Sequence, residues 1–562
     1  MYSACRVHVS PLTNSIGLLG VNVHMSYLFS IRPSMSSQNG RVQLQKVAPS
    51  APMLDALIIG AGAAGVGAAA LLRGGGLSNF AVLEATDRIG GRVQALPFGS
   101  GPQIMIENGA NWISGAPRGD QGQVNPVFKL ANDMGLQLVR VPGSATNMSN
   151  WDAYDEFGNS ADLDGKRRTL ANNVTTCISK GVDSGRFSNT SAVDAASECG
   201  WAPNPDGLDS AIEWQLFTGE SGLPVSKMRA ENYLPDPTYG DFGADDFFFK
   251  NQDPLGYSTV IHAVADGALD GGAKALDEGR LVLGAEVDRI ELECDYVTVR
   301  SKDGRSWRSL HVISTLPLGV LQRRPEIFTP PMLTGQREAL GRISMSNYTK
   351  IHAQWDEVWW NASVYKWVQA NDGFNGGTLP SVRNLAHASV LPSSRTLLFD
   401  LGDPQASEWE QLDDDAAKAK LVAELQRVHP GKAIPLPSAF HMTRHSIDPL
   451  SYGAYSDWGD STAEDHLRAG MPLSAPTPPA SGQFPPRACP PRVWLSGEAL
   501  CPRYNGFVHG GLISGRRDAT RVLAALGVNG SFAANDGCDM TLGRDQMKRG
   551  RAVLRWRASF AR

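Results

Sequence analysis

The segment from Leu54 to Gly67, LDALIIGAGAAGVG, constrains the fold more than any other part of the sequence. Its apolar beginning predicts a short buried strand, and its Ala-rich end predicts a helix. Between them, Gly60 permits a tight turn, Gly62 lets the backbone approach a phosphate, and Gly65 lets the helix pack closely on the strand. The segment therefore predicts a unit that binds a dinucleotide at a helix N-terminus. A glycine turn with a purely structural role is the alternative.

A second segment, Glu84 to Arg92 (EATDRIGGR), supports the dinucleotide interpretation. Glu84 ends an apolar run, at the spacing after the glycines where a carboxylate binds a ribose hydroxyl. The residues from Asp87 onward resemble the second fingerprint of the FAD-dependent amine oxidases. The resemblance implies FAD rather than a nicotinamide as the cofactor, with Arg92 at its phosphates; a surface turn is the alternative.

A third segment, Trp494 to Gly515, resembles the C-terminal fingerprint of the same family. It predicts a strand, then Glu498, then a helix of small residues that begins near His509. The positive end of that helix would stabilise the negative charge of a reduced flavin. The resemblance implies cofactor contacts from Gly60, Gly62, Ala63, Ala64, Gly65, Glu84, Arg92, Val287, Glu498 and Val508.

The segment from Asn347 to Trp360, NYTKIHAQWDEVWW, resembles a strand of the plant and fungal polyamine oxidases within this family. The resemblance places Lys350 beneath the flavin, where it would hold a water molecule against the N5 atom. Partial burial would lower the pKa of this lysine toward neutrality. By pattern alone, a lysine in a strand points to water.

Two tyrosines are the predicted aromatic contacts of the substrate. Tyr504 stands in YNGFVHG, which resembles a signature of the polyamine oxidases, and Tyr455 stands between Gly453 and Trp458. As facing rings they would contact the methylenes of an amine chain and add a cation–π attraction of about 0.5 to 2 kcal/mol. A place in the hydrophobic core is the alternative for each.

The resemblance also implies a substrate-facing acid, Glu220, at the end of AIEWQLFTGE, with a solvated surface acid as the alternative. Tyr348 and Trp112 complete the expected substrate contacts. Ser114 stands where the plant enzymes have an acid and some animal ones a histidine. The site would lose a charge that positions the amine, so we expect affinity or cleavage position to differ from the plant enzymes.

The domain organisation follows from length and spacing. A chain of 562 residues is too long for one core, and the third fingerprint begins roughly 400 residues after the first. The resemblance implies an α/β fold in which a Rossmann-like FAD-binding domain is interleaved with an α+β substrate-binding domain. The predicted ranges are 1–52 for an N-terminal extension, 53–130, 255–330 and 485–528 for the FAD-binding domain, 131–254 and 331–484 for the substrate-binding domain, and 529–562 for a basic C-terminal tail.

Composition limits the partners. A hydrophobic fraction of 42% with 19% charged residues is ordinary for a globular protein, and no apolar stretch approaches the roughly 20 residues needed to cross a bilayer. A net charge of −5 argues against nucleic-acid binding and suits a cationic ligand. The sequence leaves the oligomeric state open, and a monomer is compatible with it.

The cysteines and one proline-rich segment predict further features of the structure. Seven cysteines without CxxC spacing exclude most zinc sites, and no metal is expected. In an exported protein Cys177 would pair with Cys199, or Cys489 with Cys501. The segment from Met471 to Arg492 predicts an exposed loop.

The sequence leaves the subcellular location of the protein open. Residues 1–54 contain no Asp or Glu but carry Arg6, Arg32, Arg41, Lys46 and many serines, which is typical of an organellar transit peptide. Secretion is the alternative, and Met35 and Met53 are alternative start positions.

The predicted function is oxidation of a C–N bond in spermine, spermidine or their acetylated forms by FAD and O₂, giving an aminoaldehyde, a smaller amine and H₂O₂. An L-amino-acid oxidase is one alternative; it needs a cationic clamp for a carboxylate, which the sequence does not identify. A monoamine oxidase is another. The alternative from a different class is a weakly active flavin-binding scaffold or sensor.

Overall fold

The computed structural model describes residues 52–116, 124–142, 151–155, 159–161, 173–201, 208–232, 242, 245–250, 256–369, 379–476, 489–528 and 538. These residues belong to one compact unit, Ala51–Arg562. Within these ranges, no helix combines the length and apolar character needed to span a bilayer. The predicted N-terminal extension lies outside the described residues apart from Pro52, and so does the predicted C-terminal tail apart from Cys538.

The described strands are β1 Met53–Ile59, β2 Phe80–Leu83, β3 Ala95–Phe98, β4 Ile104–Glu107, β5 Ile113–Ala116, β6 Leu138–Arg140, β7 Trp151–Tyr154, β8 Asp245–Phe249, β9 Leu281–Val282, β10 Val287–Leu292, β11 Val297–Ser301, β12 Ser306–Ser314, β13 Phe328–Thr329, β14 Ser344–Ser346, β15 Tyr348–Gln354, β16 Lys366–Gln369, β17 Ser381–Asn384, β18 Thr396–Gly402, β19 Ala439–Met442, β20 Tyr455–Asp457 and β21 Val493–Leu495.

The described α-helices are Ala63–Gly74, Pro126–Asp133, Thr175–Asp183, Ala192–Glu198, Leu208–Glu213, Gly219–Ser221, Ser258–Leu269, Gly272–Asp277, Leu318–Arg323, Thr334–Arg342, Gln405–Glu410, Asp414–Val428, Ala463–Ala469 and Val508–Ala525. A π-helix spans Trp214–Thr218. Short 3₁₀ turns span Val225–Lys227, Pro325–Ile327, Glu498–Leu500 and Pro502–Tyr504.

The largest sheet in the described ranges has the strand order β13-β10-β11-β12-β1-β2-β9, and β21 also pairs with β12. The first strand is apolar and fully buried at Ala56, Leu57 and Ile58, because it lies between two parallel neighbours, β2 and β12. The strands of this sheet come from stretches far apart in the chain, all within the ranges predicted for the FAD-binding domain. The exact domain boundaries stay a prediction.

Two helices cross closely beside this sheet because their contact surface is made of small residues. A Cβ added to Gly515 of the Val508–Ala525 helix would lie 1.9 Å from the carbonyl oxygen of Ala64. A Cβ added to Gly67 would lie 2.7 Å from the carbonyl oxygen of Leu512. The glycines of the first and third fingerprints therefore allow the two helices to touch backbone to backbone.

A second sheet, in the order β19-β15-β18-β17-β16-β7, carries the substrate side of the site. Lys350 pairs with Asp400 across β15 and β18, and Lys366 pairs with Arg383 across β16 and β17. Because side chains of paired residues share a face, charged residues collect on one face of this sheet. The opposite face packs on an apolar cluster that includes Trp409.

The disulfides correct one prediction. Cys177 pairs with Cys199, as one of the two expected pairs. The pair Cys489–Cys501 is wrong, because Cys489 bonds to Cys294 and Cys501 bonds to Cys538. The chain entering β21 runs beside the turn between β10 and β11, where Arg492 Nε donates to the carbonyl oxygen of Cys294 at 3.0 Å, and this brings Cys489 to Cys294.

The prediction of an exposed loop from Met471 to Arg492 holds at Met471, which is exposed, and is wrong at Leu473 and Cys489. Leu473 is buried and forms an antiparallel bridge with Val493, and Cys489 is buried too. The Leu473 N–H donates to the Val493 carbonyl oxygen at 2.8 Å, and the Arg492 N–H donates to the Leu473 carbonyl oxygen at 2.9 Å. Residues 477–488 lie outside the described part of the chain.

Candidate active site

The glycine turn leaves the N-terminus of the Ala63–Gly74 helix open. Gly60 has a φ of +98°, and a Cβ there would lie 2.4 Å from Thr315 Oγ1. Gly62 is the N-cap and has no side-chain cap; the first turn, which begins with Ala63 and Ala64, has no acidic residue. Backbone N–H groups without a capping side chain, at the positive end of a helix, fit a phosphate group.

The third glycine of the turn, Gly65, is required by close contact. A Cβ added to Gly65 would lie 1.8 Å from the carbonyl oxygen of Gly60. A larger residue would push the helix away from the strand that precedes it.

Glu84 is fixed at the carboxyl end of β2. Its Oε2 atom accepts a hydrogen bond from the Ala61 backbone at 2.8 Å, and its Oε1 atom accepts from the Thr86 backbone at 2.9 Å. Its carbonyl oxygen accepts from the Ala285 backbone at 2.7 Å, which brings the chain entering Val287 against the same edge. The ribose contact of Glu84 and the adenine contact of Val287 stay predictions.

Arg92 and Glu498 join the second and third fingerprints. Arg92 Nη1 lies 2.9 Å from Glu498 Oε1 and also donates to the carbonyl oxygen of Ala454 at 3.0 Å. Glu498 Oε2 accepts from the Gly506 backbone at 2.7 Å and from the hydroxyl of Ser456. This pair therefore ties both fingerprints to β20, the strand that carries Tyr455.

The helix that begins at Val508 presents a second open N-terminus. Its N-cap, Phe507, provides no side-chain cap, and its first turn has no acidic residue. Such a terminus suits a group that gains negative charge, as a flavin ring does on reduction. The two open helix ends and the Glu84 and Arg92–Glu498 contacts together fit FAD.

Lys350 is buried on β15, so the solvent-facing alternative does not apply. Its Nζ atom donates to the carbonyl oxygens of Glu107, at 2.6 Å, and of Gly109, and lies 3.4 Å from Asn111 Oδ1. Burial lowers the pKa of Lys350 to about 8, although the charges of Glu107 and Asp400 oppose this shift. Its contact with water at a flavin stays a prediction.

Two histidines that the sequence analysis missed hold the same segment. His445 Nε2 lies 2.9 Å from the carbonyl oxygen of Asn108, and His441 Nε2 lies 2.7 Å from Asn108 Oδ1. Burial lowers the pKa of His445 to about 4, so this ring is neutral at neutral pH and donates to the carbonyl. Single histidines in the sequence gave no signal of this arrangement.

The aromatic contacts differ from a simple pair of facing rings. The rings of Tyr455 and Tyr348 lie 5.7 Å apart, and the Tyr455 hydroxyl donates to the carbonyl oxygen of Glu220 at 2.8 Å. Tyr504 stacks on Phe242 at 5.2 Å. The structure thus adds Tyr348 to the rings around Tyr455, while the facing arrangement of Tyr455 and Tyr504 about a substrate stays a prediction.

The remaining predicted substrate residues are spread around this cluster. The Glu220 side chain is exposed. Burial and then the neighbouring Tyr348 raise the pKa of Tyr455, and the charge of Glu220 adds to this shift. The Ser114 carbonyl oxygen accepts from Asn125 Nδ2 at 2.8 Å. Trp112 is half-buried, and the guanidinium of Arg383, on the second sheet, lies over its ring.

Three charged residues on that sheet were missed by the sequence analysis. The guanidinium of Arg383 lies 4.2 Å from the centre of the Trp112 ring, and its Nη1 atom lies 2.5 Å from Asp400 Oδ2. Lys366 Nζ donates to Gln215 and lies 4.2 Å from the centre of the Trp151 ring. The sequence signal that could have revealed them is a single charged residue within an apolar strand, such as Asp400 in TLLFDLG.

Comparison with known proteins agrees with this geometry. Residues 63–523 match the family described as flavin containing amine oxidoreductase. Polyamine oxidase 1 of Zea mays is 28% identical over 479 residues, covering 82% of this chain and 88% of the relative. The peroxisomal N(1)-acetyl-spermine/spermidine oxidase of Homo sapiens is 26% identical over 530 residues, covering 85% of this chain and 96% of the relative.

Solved structures show the same fold. Putrescine oxidase bound to putrescine aligns with a TM-score of 0.61 at 17% identity, covering 84% of this chain and 99% of that one. Cyclohexylamine oxidase from Brevibacterium oxydans covers 85% of this chain, with a TM-score of 0.61 at 18% identity. The chain therefore belongs to the flavin-containing amine oxidoreductase family, which confirms the predicted fold, the FAD cofactor and the class of enzyme.

Proposed function

We propose that the protein is an FAD-dependent oxidase that cleaves a C–N bond of a polyamine with O₂. The observation that carries the proposal is the burial of Lys350, which lies on the same face of β15 as Tyr348. Its ammonium donates to the backbone carbonyl oxygens of Glu107 and Gly109. The polyamine and N-acetylpolyamine oxidases among the relatives support the same substrate class.

The chain's own residues would hold and orient the reactants. The open N-terminus at Gly62 would bind the phosphates, and Glu84 the ribose. The helix beginning at Val508 would face the flavin ring. Arg92 would lie with Glu498 where the second and third fingerprints meet. When bound, FAD supplies an acceptor for the hydride of the amine and a donor to O₂.

The tyrosines and Lys350 have distinct roles in this proposal. Tyr348 and Tyr455 provide aromatic surface for the methylenes of the amine and hold it in one orientation. Lys350 Nζ, with its pKa lowered to about 8, exchanges a proton close to neutral pH. The overall reaction balances as amine, O₂ and water giving an aldehyde, a smaller amine and H₂O₂.

The test is peroxide release by purified, FAD-loaded protein with spermine, spermidine and N-acetylated polyamines supplied one at a time. Lys350→Met should lower the rate at least tenfold, because it removes the only polar atom of that side chain. Lys302→Met, which changes an exposed lysine, is the matched control and should not alter the rate. Protein that takes up no FAD, or a Lys350→Met variant as fast as the parent, contradicts the proposal.

A further inference from the structure

The side chain of Asn125 connects three segments around the proposed cofactor site. Asn125 is fully buried and caps the helix that follows it. Its Oδ1 atom accepts from the backbone N–H groups of Val127, at 2.9 Å, and of Phe128, at 3.4 Å. Its Nδ2 atom donates to the carbonyl oxygen of Ser114 at 2.8 Å and lies 3.2 Å from His509 Nδ1. All four hydrogen-bonding positions of this amide are therefore occupied.

These contacts fix which way the amide of Asn125 faces. Backbone N–H groups only donate and a backbone carbonyl oxygen only accepts, so the amide oxygen faces Val127 and the NH₂ group faces Ser114. The NH₂ group of an amide only donates. Its other contact, His509 Nδ1, must therefore be the acceptor, and the neutral ring carries its single proton on Nε2.

The surroundings of His509 also disfavour a charged ring. His509 is 4% exposed, and the ring of Phe507 stacks on it at 5.0 Å. Tyr504 and Phe242 meet it in T-shaped contacts at 5.1 and 5.2 Å. Burial lowers the pKa of His509 to about 3, and no ionised side chain in the described part of the chain contributes to this shift. A proton on Nδ1 would moreover face the NH₂ group of Asn125, donor against donor.

The charged groups of the neighbouring elements lie away from the His509 ring. Tyr504 is the titratable side chain in contact with it. The helix capped by Asn125 carries Lys129 and Asp133, which are exposed and pair with each other at 2.5 Å. The charged residues of the helix that carries His509 begin at Arg516, about two turns further on. A positive charge on His509 would therefore have no counter-charge beside it among the described residues.

We propose that Asn125 is a positioning residue of the flavin site, which holds His509 in the uncharged form with its proton on Nε2. His509 lies in the first turn of the helix that begins at Val508. The uncharged ring leaves the helix N-terminus as the source of positive potential at the flavin. The reduction potential of the flavin is then independent of His509 protonation near neutral pH. This inference rests on the proposed position of the flavin ring at that helix.

Nitrogen NMR of FAD-loaded protein labelled with ¹⁵N-histidine tests the protonation of His509 directly. Its signals are those that disappear in His509→Gln. We expect a proton on Nε2 and none on Nδ1, unchanged from about pH 5.5 to about pH 8.5, the range in which an ordinary histidine loses its proton. A proton on Nδ1, or a titration of His509 within this range, overturns the proposal.

Asn125→Asp tests the role of the amide with little change of shape. Aspartate caps a helix as well as asparagine does, but the variant replaces the NH₂ donor by a carboxylate oxygen, which accepts from a protonated Nδ1. We expect the His509 ring to carry protons on both nitrogens at the acid end of the range and to lose one as the pH rises. The midpoint potential of the bound flavin should fall relative to the parent through the same range, because the new carboxylate loses its counter-charge.

Asp413→Asn is the matched control. Asp413 is also an N-cap, accepting from the Ala416 backbone at 2.8 Å, and this variant should leave the flavin potential unchanged at every pH. In the double variant of Asn125→Asp with His509→Gln, the pH-dependent part of the shift should vanish. A shift in Asn125→Asp that is the same at every pH overturns the link to the flavin.

The parent spectrum decides the protonation of His509 even where Asn125→Asp does not fold. Neither measurement needs an amine substrate. A protein that binds FAD and oxidises no polyamine therefore counts against the proposed function alone.

Discussion

Arg92 Nη1 and Glu498 Oε1 lie 2.9 Å apart although 406 residues separate them in the chain. The carboxylate of Glu498 also accepts hydrogen bonds from Ser456 and Gly506. A single side chain thus holds together the second fingerprint, the third fingerprint and the substrate strand β20. The cofactor side and the substrate side of the site are fixed to each other by this ion pair.

We expect Glu498→Gln to weaken both stability and FAD retention. The variant keeps the size of the side chain but leaves the largely buried Arg92 without its counter-charge, which costs about 2–4 kcal/mol. Thermal unfolding and the FAD retained after gel filtration are the measurements. Glu198→Gln, which alters an ion pair with Arg186 in which both side chains are exposed, should change stability by less than about 0.5 kcal/mol. Equal behaviour of the two variants would contradict this role.

We expect Gly65→Ala to destabilise the dinucleotide turn. The added Cβ would lie 1.8 Å from the carbonyl oxygen of Gly60, so the helix must shift at a cost of about 1–3 kcal/mol, with loss of FAD affinity. Gly74→Ala on the same helix meets no atom within 4 Å and should stabilise by about 0.5–1 kcal/mol. Denaturant unfolding of both variants, with and without FAD, distinguishes local crowding from a general intolerance of alanine.

Lys350 should make the stability of the protein depend on alkaline pH. Its pKa is lowered to about 8 in the folded state, below the unfolded value, so the unfolded chain binds more protons between about pH 8 and 10.5. The free energy of unfolding should therefore rise through this window, by about 3 kcal/mol from this residue. The measurement is the difference between parent and Lys350→Met at each pH. A constant difference from pH 7 to 10.5 would show that the pKa is not lowered.

The disulfide between Cys501 and Cys538 should affect substrate binding as well as stability. Cys538 packs in one apolar cluster with Phe242 and Tyr504. Cys538→Ser opens a loop with a sequence separation of 37 and should cost about 4 kcal/mol, while raising KM for the amine because Tyr504 loses support. Cys199→Ser, which opens the Cys177–Cys199 bridge, should lower the melting temperature without raising KM. A KM that rises equally in both variants would indicate a global effect.

Local sequence was sufficient for the strands, turns and helix ends that are predicted to hold the cofactor. The glycine turn at Gly60, the strand ending at Glu84 and the helix predicted to begin near His509 are each encoded within a few residues, because strand, turn and helix N-terminus are local structures. The strand containing Lys350 was likewise recognised from its neighbours in sequence. Each of these elements lies in the structure where the sequence predicted it.

The tertiary structure alone decided the charged face of the substrate sheet and the cysteine pairing. Lys366, Arg383 and Asp400 stand singly in separate strands, and only the register of β16, β17 and β18 brings them together. Cys489 bonds to Cys294 rather than to Cys501 because β11 and β21, which follow Cys294 and Cys489, both pair with β12 in the folded sheet. The physical cause is that side-chain pairing across a sheet depends on which strands become neighbours, and that choice is made by packing of the whole chain, not by the residues of any one strand.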